Sequence, residues 1–456
     1  MQFAGQRTDA KLQPVGEPDN ILIKITDDIL PEPDAVLVTG ITPQKTIAEG
    51  LTEAEFCRYF DDKINQPGTV FLGFNTVRFD DEFMRNLFYR NFYDSYEWQW
   101  QDGNSRWDLL DVVRMTRALR PAGINWPFET DGKPSNKLGL LTAVNKLDHL
   151  NAHDALSDVN ATIAVASLIQ QKQPKLFDFL LQHRSKQSII DFLRDNHTFV
   201  YTSGKYPGEF EKTTVVASLA ETSRGDGVLV YDLRHDPEQY AKLSIEELAR
   251  AWRRWDPAEG PVLPVKTLKF NRCPAIAPTG VLDEDSQKRL KIDLRQIEKH
   301  RQQLQTMQDW KDKLLKALEM LDKEQQERLL PDEQSVDSQL YNGFFDRGDK
   351  QAMSVVRATE PSELGQLQDN LKDKRLQAML PLYKARNYPK ALTNEERNDW
   401  EKYRINRLLS GGTSSRLAKY FGRIEELKKQ AKLGKESEYI LTELELYGQS
   451  IAPDAS

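Results

Sequence analysis

Cysteine is nearly absent from this chain. Two occur in 456 residues, Cys57 and Cys273. They stand too far apart in sequence for a zinc-binding pair and are too few for a disulfide framework, which fits a reducing cytoplasm. Long apolar runs are missing as well: none approaches the roughly 20 residues that a membrane span needs. The opening Met1-Gln2-Phe3-Ala4-Gly5-Gln6 has neither the basic flank nor the apolar stretch of a secretory signal. Internal repeats and long disordered tracts are lacking too, with only the last six residues expected to fray.

What remains is ample for two or three domains. Apolar residues make up 39% and supply cores, while charged residues make up 29% and favour a soluble surface. The formal net charge of −7 neither demands nor excludes nucleic acid, because a local basic groove can bind phosphates on an acidic protein.

Three textures follow one another, at 1–173, 174–331 and 332–456. In the first, Ala35 to Val38 and Thr69 to Phe74 read as short buried strands, and Gln2 to Asp9 as a further strand. Asp81 to Tyr93 and Asp154 to Gln171 read as helices from their apolar spacing. Such alternation predicts an α/β sheet domain. In the second, a helical stretch from Lys175 to Asp195 precedes β-like runs at Thr198 to Ser203, Gly227 to Tyr231 and Val262 to Asn271. A charged helical run from Asp283 to Leu330 closes it. The third is helical in pattern, with a break at Tyr383 to Pro389 and a loop at Ser410 to Thr413.

Two motifs carry chemistry. Gly73 to Glu82 ends a strand and delivers Asp80, Asp81 and Glu82 to a helix start, where such charges also simply suit the macrodipole. Asn151 to Asp158 sets His153 just before a helix and Asp158 about one turn inside it; a capped, solvated helix start has the same pattern. Together they describe phosphodiester hydrolysis. Hard divalent ions take carboxylate oxygens, two ions about 4 Å apart clamp the attacking and leaving oxygens, and one histidine serves as general base near neutral pH.

Asn151 to Asp158, preceded by Phe79-Asp80-Asp81, resembles the second and third motifs of the DEDDh exonucleases. Thr39 to Thr42 resembles the segment of that superfamily beside the terminal nucleotide. Phe88 to Asp94, Ser105 to Asp111, Gly123 to Pro127, Asn271 to Pro274, Gln339 to Phe345 and Tyr383 to Pro389 are similar to the exonuclease I family in particular. The resemblance implies an α/β ribonuclease-H-like exonuclease domain, an SH3-like β domain with added helices, and an all-α C-terminal domain, closed as a C-shaped clamp. It implies processive 3′→5′ hydrolysis of single-stranded DNA to nucleoside 5′-monophosphates with Mg²⁺, in DNA repair and recombination, by a cytoplasmic monomer.

Carried over by the same resemblance, Asp80 and Asp158 belong to the metal site and His153 is the general base. Arg85, Tyr96, Trp100, Arg114 and Asn151 line the DNA path. Lys137 stands where the relative used for comparison has an arginine, so the charge survives without the bidentate fork. Arg120 matches a residue that docks the acidic tail of single-stranded-DNA-binding protein. Between Phe79 and Trp126, Tyr89, Tyr93, Tyr96, Trp98 and Trp100 interleave with Arg78, Arg85, Arg90, Arg106 and Arg114, the pairing a single-strand groove uses; each of these is equally readable as core aromatic or solvated arginine, and Trp107 and Trp126 read as core.

The family's first motif, Asp-x-Glu on a buried central strand, is expected ahead of the segment that opens this sequence. The expectation is a start placed too late or a shortened piece, rather than a naturally inactive product, because Asp80, His153 and Asp158 all remain. Two rival readings stand beside the enzyme. One is a non-catalytic clamp for single-stranded DNA. The other is an oligoribonucleotide exonuclease, disfavoured because those chains lack the additional C-terminal domains.

Overall fold

In the computed structural model, residues 1–147, 154–254, 258, 260–328, 335–429 and 434–453 are described. Strands β1 (Gln2–Gly5) and β2 (Asp19–Leu22) pair antiparallel, and β3 (Val70–Gly73) and β4 (Ser105–Asp108) pair parallel. The expected sheet is thus present as two separate pairs. Phe60 holds them to one core: its ring lies 5.9 Å from Phe3 of β1 and 5.8 Å from Phe71 of β3. Helices α1 (Pro33–Thr39), α2 (Pro43–Glu49), α3 (Glu53–Tyr59), α4 (Asp80–Arg90), α5 (Leu109–Leu119), α6 (Leu138–Val144) and α7 (Ala155–Lys172) surround them.

Helix α1 corrects the sequence reading of Ala35 to Val38 as a buried strand. Pro33 opens the helix, and Gly40, at φ 67°, closes it by donating to the Val36 carbonyl. A four-residue apolar run does not by itself distinguish strand from helix, and here the flanking residues decide. Val36 is buried against Tyr420, Ile424 and Leu441, whereas Val38 is exposed.

Helices α8 (Pro174–Gln182) and α9 (Lys186–Asp195) divide the single helical stretch expected there. They lead into β5 (Thr198–Thr202), β6 (Thr213–Glu221) and β7 (Gly227–Asp232), then α10 (Ile245–Arg253), β8 (Val265–Lys269) and β9 (Ala275–Pro278). These strands form one antiparallel sheet in the order β8-β7-β6-β5-β9, with a bulge at Ser218/Ala220. The charged run after Asp283 is three helices, α11 (Glu284–Leu290), α12 (Leu294–Thr306) and α13 (Gln308–Arg328). One apolar core runs from Trp107 and Val112 through Val200, Leu229 and Trp310, so the sheet and the first region share an interior.

The last region holds α14 (Arg347–Ala358), α15 (Lys374–Asn387), α16 (Asn394–Leu409), α17 (Arg416–Lys428) and α18 (Lys435–Ile451). The break expected at Tyr383 comes only at Tyr388, the residue before Pro389, where φ is −133°. The restriction from Pro389 falls on Tyr388, the residue before it, so Tyr383 to Asn387 stay helical.

This helical region is locked to the first by buried charge. Arg386, 2% exposed, bonds Asp28 and Asp337, each at 2.7 Å. Arg407 lies 3.4 Å from Asp28 and 3.2 Å from Asp337. Burial opposes ionisation of Asp337, but hydrogen bonds and charge from Arg386, with further charge from Arg90 and Arg407, outweigh it and hold its carboxyl down to about 2. Tyr447 donates to the Thr26 and Ile29 carbonyls, and Arg423 forks onto Asp34 at 2.7 and 2.8 Å. Among the described residues, no helix is long and apolar enough to cross a membrane.

Candidate functional site

A tight turn after β3 aims the first carboxylate. A Cβ at Gly73 would meet Thr76 Cγ2 at 1.9 Å, so only glycine fits there. Asn75 takes the left-handed conformation, at φ 66°. Asp108, at the end of the neighbouring strand β4, receives the backbone N–H groups of Asn75 at 2.8 Å, Val77 at 3.2 Å and Leu110 at 3.0 Å. One carboxylate thus fixes the turn and caps α5. The turn leaves Asp80 as the first residue of α4.

Asp80 is exposed at the mouth of a crowded cleft. Surrounding protein raises its carboxyl above the usual range, and the charges of Asp108 and Asp158 add to the rise. Asp108 and Asp158, on different elements, thus both act on Asp80, and a cation at Asp80 would relieve that repulsion. Asp158 lies in the first turn of α7 and is exposed. Asp154 caps that helix through Ser157, as its position before the apolar pattern suggests, and receives Nε2 of Gln2 at 3.2 Å. A cavity of about 390 Å³ opens beside Asp154, lined also by Gln2, Asn20, Thr39, Gly40, Ile41, Lys45 and Glu49. Thr39 to Ile41 thus share this cavity with Asp154, as part of the join between two helices rather than a strand end. His153 and Asn151 lie outside the described residues.

The donor chemistry suits a hard cation, being oxygen throughout. The number of donors is short: among the described residues, no three histidine, cysteine, aspartate or glutamate side chains stand together as a metal site. Asp80 and Asp158 do not make one by themselves.

The neighbouring carboxylates of α4 have other duties. Asp81 is 4% exposed and turns inward to Arg106 and, at 3.6 Å, to Arg85. Glu82 ties together Arg85 at 2.7 Å, Arg272 at 3.7 Å and the Tyr341 hydroxyl. Arg85 is itself 4% exposed and lies with its guanidinium 5.5 Å from the centre of the Tyr96 ring. It supports that ring from beneath. Tyr96 is half-buried and meets Phe344 edge to face at 5.8 Å. Phe344 is 87% exposed, Trp100 and Tyr341 are also exposed, and so are Phe79 and Phe83, whose rings lie 4.9 Å apart. Exposed aromatics of this density are unusual on a surface that touches only water.

The interleaved aromatic and arginine series thus divides. Tyr89, Trp98 and Trp107 are core, Trp126 packs against the core half-buried, Tyr93 lies under Arg357, Arg90 bonds Glu53 and Arg106 is buried. Tyr96, Trp100 and Arg78 remain available at the surface. Arg114 is mostly buried and bonds Asp111 at 2.6 Å. Lys137 is well exposed on the N-terminal side of α6 and pairs with Glu129 at 3.2 Å. Arg120 stands apart from the cleft, donating to the Val281 carbonyl at 2.8 Å and to Asp283 at 3.3 Å.

Sequence reasoning assigned no site role to Phe79, Phe83, Tyr341, Phe344, Glu82 or Arg272. Tyr341, Phe344 and Arg272 fall inside motifs already noted, but no sequence pattern says which ring of a motif faces water. Phe79 and Phe83, four apart on one helix face, carried a usable signal: they flank the acidic helix start rather than the apolar stripe.

Comparison with known proteins agrees with this geometry. Residues 1–166 match the family described as Exonuclease, 184–330 the Exonuclease I SH3-like domain, and 334–451 the Exonuclease I C-terminal domain. Exodeoxyribonuclease I of Escherichia coli is 40% identical over 408 residues, covering 88% of this chain and 85% of that one. The Haemophilus influenzae enzyme of the same name is 40% identical over 415 residues, covering 89% and 86%. Among solved structures, exonuclease I from Methylocaldum szegediense matches with a TM-score of 0.90 at 40% identity, over 99% of this chain and 95% of that one. The E. coli enzyme in complex with a dA16 oligonucleotide matches with a TM-score of 0.91 at 38% identity and the same coverage. A complex described as ExoI/SSB-Ct matches at 0.90 and 37%, again over 99% and 95%. With three domain families in order and relatives at this identity along nearly the whole length, the chain belongs to the exonuclease I family.

Proposed function

We propose that this protein is a 3′→5′ exonuclease that hydrolyses single-stranded DNA to nucleoside 5′-monophosphates in DNA repair and recombination. The observation that carries this reading is the cleft of Asp80, Asp108 and Asp158 beside exposed aromatic rings. Stacking on Tyr96, Trp100 and Phe344 would hold bases without regard to sequence, as a general digestive enzyme requires. Membership of the family implies dependence on divalent metal, which we take to be two Mg²⁺ ions. A bound ion supplies polarisation of the phosphate and a more acidic attacking water. Asp80 and Asp158 would hold it, with His153 drawing the proton from that water and Asn151 lining the path of the strand. Arg85 and Arg114 act in this reading as supports of the path, and Lys137 as an exposed phosphate contact.

The two carboxylates need partners, and the family's Asp-x-Glu strand would supply them. The two separate strand pairs, both packed on Phe60, are consistent with a further strand seated between β1 and β3. The test is hydrolysis of a 5′-labelled single-stranded oligonucleotide with Mg²⁺. This chain is run beside a version extended upstream with an Asp-x-Glu strand, and beside His153→Ala in the extended version. Cutting by the extended version alone, lost in the variant, is the expected result. Binding without cutting by both would favour the non-catalytic clamp.

We further propose domain limits of 1–173, 174–331 and 332–456, a cytoplasmic monomer, and docking of the acidic tail of single-stranded-DNA-binding protein at Arg120. α11, beside Arg120, presents Lys288, and a cavity of about 360 Å³ there is lined by Lys288 and Lys291 together with Glu284 and Asp293. Arg120→Glu should weaken tail binding and spare hydrolysis of naked DNA; unchanged tail affinity would remove the assignment.

A further inference from the structure

Side chains from three regions of the chain reach one carboxylate beside the cleft. Glu82 lies in the first turn of α4, two residues after Asp80. Its Oε1 is 2.7 Å from Nη1 of Arg85, one turn along the same helix, and 3.7 Å from Nη2 of Arg272 in the sheet region. Its Oε2 accepts the hydroxyl of Tyr341, which belongs to the turn Val336–Asn342 ahead of α14 in the helical region. One oxygen thus serves the two arginines and the other serves the tyrosine.

Each of these contacts fixes something near Asp80. Tyr341 is 60% exposed, so packing holds its ring weakly and the hydroxyl bond sets where it lies. That hydroxyl is a donor at neutral pH, because burial, then the hydrogen bond and charge of Glu82, push it up to about 12. The turn that bears it is tied to the same helix two turns on, where Tyr89 donates to the Val336 carbonyl at 3.0 Å and stacks on Phe345 at 6.1 Å. Arg272 donates Nη1 to the Val77 carbonyl at 2.7 Å, so its guanidinium touches residues on both sides of Asp80 in the chain. Arg85, under the Tyr96 ring, passes the influence of Glu82 to that ring as well.

We propose that Glu82 is a positioning residue of the nuclease site, a joint that draws Tyr341 of the helical region and Arg272 of the sheet region onto the helix start bearing Asp80, and so slows the escape of a bound strand. The inference rests on the exonuclease reading above and adds to it a carboxylate that acts on the strand only through its neighbours. Breaking the joint releases a ring and a guanidinium without emptying a core. Arg85 keeps Asp81 at 3.6 Å and Gln99 at 3.4 Å when Glu82 is removed, so the fold retains a partner for its buried charge.

The experiment is a double-mutant cycle on the rate at which a labelled oligothymidylate of about 20 nucleotides leaves the chain in EDTA, followed by stopped-flow fluorescence. The variants are Glu82→Ala, Tyr341→Phe and the two combined. Loss of the hydroxyl alone should speed release about fivefold, within the range of one net hydrogen bond. In the Glu82→Ala background the same loss should have almost no further effect; the negative charge removed with Glu82 is common to both members of that comparison and cancels. Hydrogen exchange without DNA reads the joint directly: residues 336–342 should exchange faster in Glu82→Ala and in Tyr341→Phe, and residues 270–273 faster in Glu82→Ala only. Equal acceleration of release by Tyr341→Phe in both backgrounds, or unchanged exchange at either segment in Glu82→Ala, would overturn the joint and leave the exonuclease reading standing. No binding of the oligonucleotide by the unsubstituted chain would overturn both.

Discussion

Two charged regions of this molecule use the same residue types to opposite ends. Around Arg386, the charges of Asp28, Asp337 and Arg407 are buried and paired with short contacts. At the end of the sheet near Lys205, the charges lie nearer the surface: Glu209 and Glu211 of the same connection pair with Lys291 and Arg117, while Lys205 is exposed. The first arrangement spends its charge on holding the helical region against the exonuclease region. The second leaves part of its charge in water. A charge inside a protein must be neutralised by its neighbours or it is destabilising, whereas one at the surface can wait in water for a polyanion.

The largest effect expected from this contrast is at Arg386. Replacing it with alanine leaves the Asp28 carboxylate, 0% exposed, and the Asp337 carboxylate, 11% exposed, to share Arg407 alone. Unfolding in urea should register a loss of about 3–5 kcal/mol. A loss no larger than that of a surface arginine would mean that the lock is not one.

Asp337 sharpens the same point through pH. Its folded carboxyl, held down to about 2, lies below its unfolded range near 3.8, so the stabilisation is present above about pH 4 and is lost as pH falls toward 2. Asp337→Asn should therefore cost about 2 kcal/mol at neutral pH and progressively less in acid. Parallel stability curves for parent and variant across that range would contradict the assignment.

On the binding side, Phe344→Ala should weaken single-strand binding by about 1 kcal/mol, the low end for a stacked base, and leave the melting temperature unchanged because the ring is 87% exposed. A fall in stability without a change in affinity would make Phe344 a packing residue. The smallest effect belongs to an ordinary exposed pair. Lys133 sits 2.7 Å from Asp131 with its side chain 80% exposed, and its removal should change neither stability nor binding by more than about 0.5 kcal/mol.

The parts legible in the sequence were those with local causes. The strand at Val70–Gly73, the helix from Asp80 and the Asp154 cap of α7 follow from turn formers, caps and apolar spacing over a few residues. Ala35 to Val38 misled because an isolated apolar tetrad has no period, and its partners Tyr420 and Leu441 lie almost 400 residues away. Arg85 was expected to line the groove, and its guanidinium lies beneath the Tyr96 ring, bound to Glu82. Nothing near residue 85 in the sequence announces that burial.

The sequence by itself determined the carboxylate at a helix start, the order of the domains and the family, because motif spacing and capping chemistry are short-range properties of the chain. Only the tertiary structure decided which arginines became struts and which stayed free, and which rings reached water. Whether a charge is paired depends on what packs against it from distant parts of the chain, and that is settled by the closing of the fold.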